Sequence, residues 1–176
     1  QEYRENDIPL LVHPTTAGTG SESTPFAVIY QDGEKCSVEH ESIYPKYRIE
    51  DARSLRSLPV YQKKATLLDA LSHAMEAIWS KYSNEDSRAY GQKAISLILM
   101  NYKAYLSLEN EKDAKNLGGA VALEGPSEQV LEDVAEAANL AGKAIAVTKT
   151  TAGHALSYKL GSICQLPHGL ATAMVN

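Results

Sequence analysis

Two residues able to act on one reacting atom, Asp69 and His73, stand four apart in Ala65–Ala77, ATLLDALSHAMEA. On a helix, positions i and i+4 share a face one turn apart, so a carboxylate and an imidazole at this spacing aim at one point. Ala, Leu and Met are strong helix formers, and Leu67, Leu68, Leu71 and Met75 give such a helix apolar surface to bury. The pair alone is ambiguous, because a surface aspartate beside an internally satisfied histidine arises at the same spacing by chance.

Two later histidines sharpen the reading. His154 and His168 lie in TTAGHALSYKLGSICQLPHG. His154 sits in a small-residue stretch that reads as a helix start, and His168, between Pro167 and Gly169, reads as a helix end or turn. One aspartate and three neutral imidazoles make a chelate suited to iron(II) or zinc. Such a centre keeps net positive charge, which polarises a carbonyl or lowers the pKa of an alcohol. Cys164 would be a fifth ligand to a shell already filled by four. Hydroxyls recur at Thr15, Thr16 and Thr19, beside Gly18 and Gly20. Hydroxyls and loop amides donate hydrogen bonds to phosphate and ribose oxygens, and glycine permits close approach. From composition alone, a plain polar loop is the favoured reading of that stretch.

These groups need elements to hold them. Ile8–His13 is a short apolar run, expected as a buried strand. Phe26–Tyr30 and Lys35–Val38 form two strands joined at Gln31-Asp32-Gly33, since Asp-Gly favours a hairpin turn. Ile43–Ile49 is read as extended before a turn at Glu50–Leu58. From Pro59 the pattern is helical. A helix carrying Asp69 and His73 is expected to about Tyr82, and Ser83 or Asn84 caps the next, with Glu85 and Asp86 in its first turn. The second helix runs through AISLILMNYKAYL and is apolar enough to be central. Gly118-Gly119 loosens the next segment, and Gly125-Pro126-Ser127 breaks the chain and caps an Ala-rich amphipathic helix over Glu128–Ala146. Thr148–Thr151 interrupts before the helix of His154, which ends before Pro167. Charged runs at Glu109–Lys115 and Glu128–Glu136 are solvated helix faces.

Composition bounds the function. The 176 residues, 44% hydrophobic and 22% charged, suffice for a domain with a real core. A net charge of −5 without a basic run argues against nucleic acid and anionic membrane surfaces. No signal peptide or apolar run of transmembrane length is evident, and Cys36 and Cys164 fit no C-x-x-C pattern, so a cytoplasmic protein with free thiols is expected. The chain opens QEYREN without an initiator Met and stops at ATAMVN, just after a candidate ligand.

Five pieces, PTTAGTGSE (Pro14–Glu22), DALSHAMEA (Asp69–Ala77), LAGKA (Leu140–Ala144), GHALSY (Gly153–Tyr158) and PHG (Pro167–Gly169), occur in one order along most of the chain. In these the sequence resembles the metal-dependent, iron-containing alcohol dehydrogenases, which share a fold with dehydroquinate synthase and glycerol dehydrogenase. The resemblance implies a dehydroquinate synthase-like fold class. Members of that family carry a dinucleotide-binding region before PTTAGTGSE and further helices after PHG, so the resemblance implies a piece of a longer enzyme, cut at both ends: residues 1–58 would be the C-terminal part of an α/β dinucleotide-binding domain, and residues 59–176 an all-α metal-binding catalytic domain truncated at its end. It implies Asp69, His73, His154 and His168 as ligands of Fe2+ or Zn2+. Thr15, Thr16 and Thr19 would line NAD(P)H, and Lys35 would reach its ribose. A leucine that packs near the adenine in relatives falls here on Ser54, with Leu55 beside it.

Many relatives carry a proton-relaying histidine where this chain has Tyr158, a residue whose reference pKa near 10 makes it a poor base at neutral pH. A packing tyrosine with a satisfied hydroxyl is the alternative. The variant GKAIAVTKTTAGHALSYKLGS most resembles the branch that reduces phosphonoacetaldehyde, where Lys149 or Lys159 would pair with the phosphonate. The implied activity is hydride transfer between nicotinamide and a small aldehyde or alcohol, in a full-length homo-oligomer, a dimer, without nucleic acid or membrane partners. A dehydroquinate synthase-like or glycerol dehydrogenase-like metal enzyme, or an inactive metal-binding fragment, stays open. A dehydroquinate synthase-type reaction needs a denser set of Arg, Lys and Asn, and no Arg lies near His154–His168. His13 and His40 match no ligand position and are expected packed at a strand end and in solvent.

Overall fold

The computed structural model describes residues 8–31, 34–107 and 125–176. Helix α1 (Val60–Trp79) packs against α2 (Glu85–Tyr105), α3 (Glu128–Thr148) and α5 (His168–Val175), while α4 (Ala152–Cys164) packs on α5. Small side chains make this clustering possible. Ala70, Ala74 and Ala77 are fully buried on α1. Gly91 of α2 lies so close that a Cβ there would stand 2.8 Å from the Ala74 carbonyl oxygen. Leu131, Val134, Ala137 and Ala141 of α3 complete one contiguous core with α1 and α2. Each fully buried Leu or Val contributes roughly 1.5–3 kcal/mol.

Local chemistry sets the helix limits. Pro59 precedes the first turn of α1. Asn84 and Ser87 form a reciprocal capping box on α2, with Glu85 and Asp86 in its first turn. The Ser127 hydroxyl accepts from the Val130 amide at the start of α3. Lys149, at φ 59°, ends α3, and Gln165, at φ 52°, ends α4. No described helix is long and apolar enough to cross a membrane.

The strands precede the helices. β1 (Leu11–Val12) pairs in parallel with β4 (Tyr47–Arg48), matching Leu11 to Tyr47. β2 (Phe26–Gln31) pairs antiparallel with β3 (Glu34–Glu39), matching Phe26 to Glu39 and Tyr30 to Lys35.

Several expectations are corrected. Ile8–His13 is not a buried strand: only two residues pair, and Ile8, Leu10, Leu11 and His13 are exposed. Rather than extended chain throughout 43–49, Glu41–Ile43 is a 3-10 turn, because the half-buried His40 ring caps it by accepting from the Ser42 amide. α1 stops at Trp79 because Ser80 turns extended and its hydroxyl donates to the Thr148 carbonyl. α2 is not central on all sides, since Leu99 and Met100 are exposed while Gly91, Ala94 and Ile98 face the core. His168 does not end a helix but opens α5. The Asp32-Gly33 turn, the 109–115 run and Gly118-Gly119 lie outside the described residues.

Candidate metal centre

Asp69 and His73 occupy one face of α1 and both are buried. His154 enters from the first turn of α4, also buried, and His168 from the first residue of α5. Two glycines make these approaches close. A Cβ on Gly169 would collide with the Ala65 carbonyl and the Asp69 side chain, so the Pro167-His168-Gly169 turn sits hard against α1. A Cβ on Gly153 would collide with Asn176 and Glu76, so the start of α4 is seated equally tightly.

The result is a cluster. Asp69 Oδ1 lies 3.6 Å from Nε2 of His154 and 3.6 Å from Nε2 of His168. One ligating atom from each of these three residues lies within 4.8 Å of the others. His73 is outside that close set. Its ring stacks on His154 at 4.4 Å between centroids, and its Nδ1 lies 3.3 Å from the Gly18 carbonyl oxygen. A carbonyl only accepts, so Nδ1 is the donor and Nε2 keeps its lone pair. That bond also places the threonine loop directly against the helix of Asp69.

The electrostatics suit a cation. Burial pushes the Asp69 carboxyl up, but the imidazoles of His73, His154 and His168 hold it below the ordinary aspartate range. Burial lowers His73, and its imidazole neighbours add to this against the pull of Asp69. Burial also disfavours the charged form of His154, yet Asp69 and Glu76 hold it above the ordinary histidine value. Asp69 Oδ1 and His154 Nε2 are buried without a hydrogen-bond partner among the described residues. Buried polar atoms are normally paired. Two facing orphans, in a set of one carboxylate and three imidazoles, fit a divalent transition metal.

Tyr158 stacks on His168 with ring centroids 5.5 Å apart and planes 12° from parallel, and is exposed. Burial, then the charges of Asp69 and Glu76, raises its phenol above the ordinary tyrosine value. In the loop, Thr15 and Thr19 are exposed and Thr16 is half-buried, and the Thr19 hydroxyl accepts from the Ser21 amide. Gly20, at φ 58°, meets Gly142 of α3, where a Cβ would stand 2.5 Å from the Gly20 oxygen. Lys35 is placed by its backbone on β3. Ser54 donates to the carbonyls of Asp51 and Pro14, tying its turn to the loop, while Leu55 is buried. Thr16 and Leu55 share the wall of a cavity of about 540 Å³ that none of the four candidate ligands lines. Lys149 is paired with Glu39 at 2.6 Å, and Lys159 is exposed.

Two polar residues escaped the sequence reading. Asn139 of α3 donates to Glu22 and Ser23 and accepts from Arg48, pinning the loop's end. Glu76 is fully buried beside His154. The available signal was register: Glu76 lies three residues past His73, on the face of Asp69.

Residues 63–176 match the family model described as the Fe-containing alcohol dehydrogenase family, C-terminal, and residues 1–52 match that of iron-containing alcohol dehydrogenase. The bifunctional aldehyde-alcohol dehydrogenase AdhE of Escherichia coli (strain K12) is 35% identical over 168 residues, covering 94% of this chain and 17% of its own length. Alcohol dehydrogenase 4 of Saccharomyces cerevisiae is 32% identical over 170 residues, covering 96% of this chain and 40% of its own. Among solved structures, sulfoacetaldehyde reductase from Bifidobacterium kashiwanohense in complex with NAD+ superposes with a TM-score of 0.78 at 32% identity, covering 94% of this chain and 40% of that one.

Proposed function

The chain belongs to the iron-containing alcohol dehydrogenase family, and on that basis we propose that it forms the metal-binding part of an aldehyde reductase or alcohol dehydrogenase using NAD(P)H. In this reading residues 1–58 end the dinucleotide-binding domain and residues 59–176 begin the catalytic one. The observation that carries it is the convergence of Asp69, His154 and His168 around two unpaired buried atoms, beneath the Gly18 loop.

Iron(II) or zinc bound there supplies a Lewis acid for the substrate carbonyl, and the reduced nicotinamide supplies the hydride. Asp69 provides the anionic donor. His73, with Nδ1 turned to Gly18, offers Nε2, and His154 and His168 offer the two nitrogens nearest Asp69. Thr15, Thr16 and Thr19 hold cofactor oxygens, with Lys35 on the ribose. Tyr158 holds the proton that the product oxygen needs. A phenol is already protonated at neutral pH, as a donor must be, and the upward shift at Tyr158 leaves it so.

The substrate we assign is a small aldehyde with an anionic head, phosphonoacetaldehyde. Support comes from the sulfoacetaldehyde reductase of similar fold, whose named substrate carries a sulfonate. Because Lys149 is held by Glu39, Lys159, next to Tyr158, is the lysine assigned to the phosphonate.

The test is a panel of aldehydes offered to anaerobically purified full-length protein with NADH or NADPH. Reduced cofactor should be consumed in step with alcohol formed, chelator should abolish this, and iron or zinc should restore it. Lys159→Ala should raise KM for phosphonoacetaldehyde and leave an uncharged aldehyde unaffected. Turnover indifferent to chelator would contradict the proposal.

A further inference from the structure

Glu76 is a carboxylate with no exposed surface at all. Burying a carboxylate is costly unless hydrogen bonds replace its water. Five donors do so here. Oε1 accepts from the backbone amide of His154 at 3.2 Å, from its ring Nδ1 at 2.6 Å, and from Asn176 Nδ2 at 3.1 Å. Oε2 accepts from the Thr151 hydroxyl at 2.7 Å and from the Thr151 amide. Five donors leave no room for a proton on the carboxylate itself.

The geometry points to Glu76 as a positioning residue that fixes both the orientation and the tautomer of His154. Facing an oxygen that only accepts, Nδ1 must carry a proton, so the neutral ring presents its lone pair at Nε2. Nε2 is the atom that lies 3.6 Å from Asp69 Oδ1 without a hydrogen-bond partner among the described residues. One oxygen holds both backbone and ring of His154, so the ring cannot turn without breaking a charge-assisted bond. Thr151 ties the residues before α4 to the same group, and Asn176 brings in the end of α5. Glycine at position 153 is then a requirement, since a side chain there would strike Glu76 and Asn176.

This inference rests on the reading that Asp69, His154 and His168 hold a metal. Outer carboxylates that orient a metal-binding imidazole typically govern 10–100-fold in affinity. The test uses full-length protein and zinc, with affinity measured by chelator competition for the wild type, Glu76→Gln and His154→Ala. Glutamine keeps the shape but turns one acceptor into a donor facing other donors. Glu76→Gln should bind zinc about 10–100-fold more weakly. In the zinc-loaded wild type, ¹⁵N NMR should find hydrogen on Nδ1 of His154 and zinc at Nε2. If Glu76→Gln binds like the wild type while His154→Ala has lost zinc, Glu76 has no positioning role and the metal site stands. If His154→Ala also binds like the wild type, the metal site itself is refuted, and this inference with it. Should Glu76→Gln fail to fold, the wild-type ring spectrum decides, and zinc at Nδ1 overturns the proposal.

Discussion

Tyr158 presents a choice between chemistry and packing that one atom can decide. Tyr158→Phe removes only the hydroxyl and keeps the ring that stacks on His168. If the phenol donates the proton, turnover of the full-length enzyme should fall about 10²–10⁴-fold with metal content intact. A packing tyrosine predicts unchanged kcat across pH and a stability loss of roughly 1 kcal/mol at most. Glu76 makes a second residue-scale prediction. Burial pushes its carboxyl up, but His154 and Thr151 hold it at about 2, against an ordinary 4.5. A depressed pKa stabilises the fold above the unfolded value, and that contribution is lost as pH falls through the folded one. The stability gap between metal-free wild type and Glu76→Gln should therefore narrow between about pH 4.5 and pH 2, by at most about 3 kcal/mol, as read by denaturant unfolding. Asp69 and His73 could be singled out only together with His154 and His168, because a carboxylate and an imidazole four apart on a helix are common by themselves. Glu76 could not be, because a glutamate in a helix is ordinarily solvated, and only its neighbours' three-dimensional positions show it buried.

The same division runs through the elements. Helices α1 and α3 could be read from apolar period and capping residues, and the loop between β1 and β2 from its glycines and threonines. Pro167 misled, because proline both stops a preceding helix and opens a following one. Here it does the second, and so delivers His168 from the rigid start of α5. The short β1–β4 pair could not be read, since an apolar run of five or six residues looks the same whether it pairs along its length or at two positions. Contact between the loop and α3 rests on Gly20 and Gly142. Gly142→Ala should displace the loop, cost about 1–3 kcal/mol as an overpacked contact, and weaken NAD(P)H binding more than metal binding. Calorimetric unfolding and separate cofactor and metal titrations would read this, and unchanged cofactor affinity would detach the loop from the cofactor.

At the scale of the whole molecule, the chain spans 17% of one curated relative and 40% of another. The chain changes from strands to helices near Pro59, and there we propose the division between a nucleotide-binding region and a catalytic one. The candidate metal centre is complete enough on the catalytic side to be tested without reference to substrate. Metal affinity should rise with pH, because a ligand nitrogen must lose its proton before it binds, and Asp69 and Glu76 favour the protonated form of His154 in the metal-free chain. Affinity flat between about pH 5 and pH 8 would place the metal elsewhere. The most direct measurement is elemental analysis of anaerobically purified full-length protein, wild type beside His168→Ala. The four-residue site predicts about one iron or zinc ion per chain in the wild type and loss of tight binding in the variant, whose shell is incomplete. Undiminished metal in His168→Ala would contradict it.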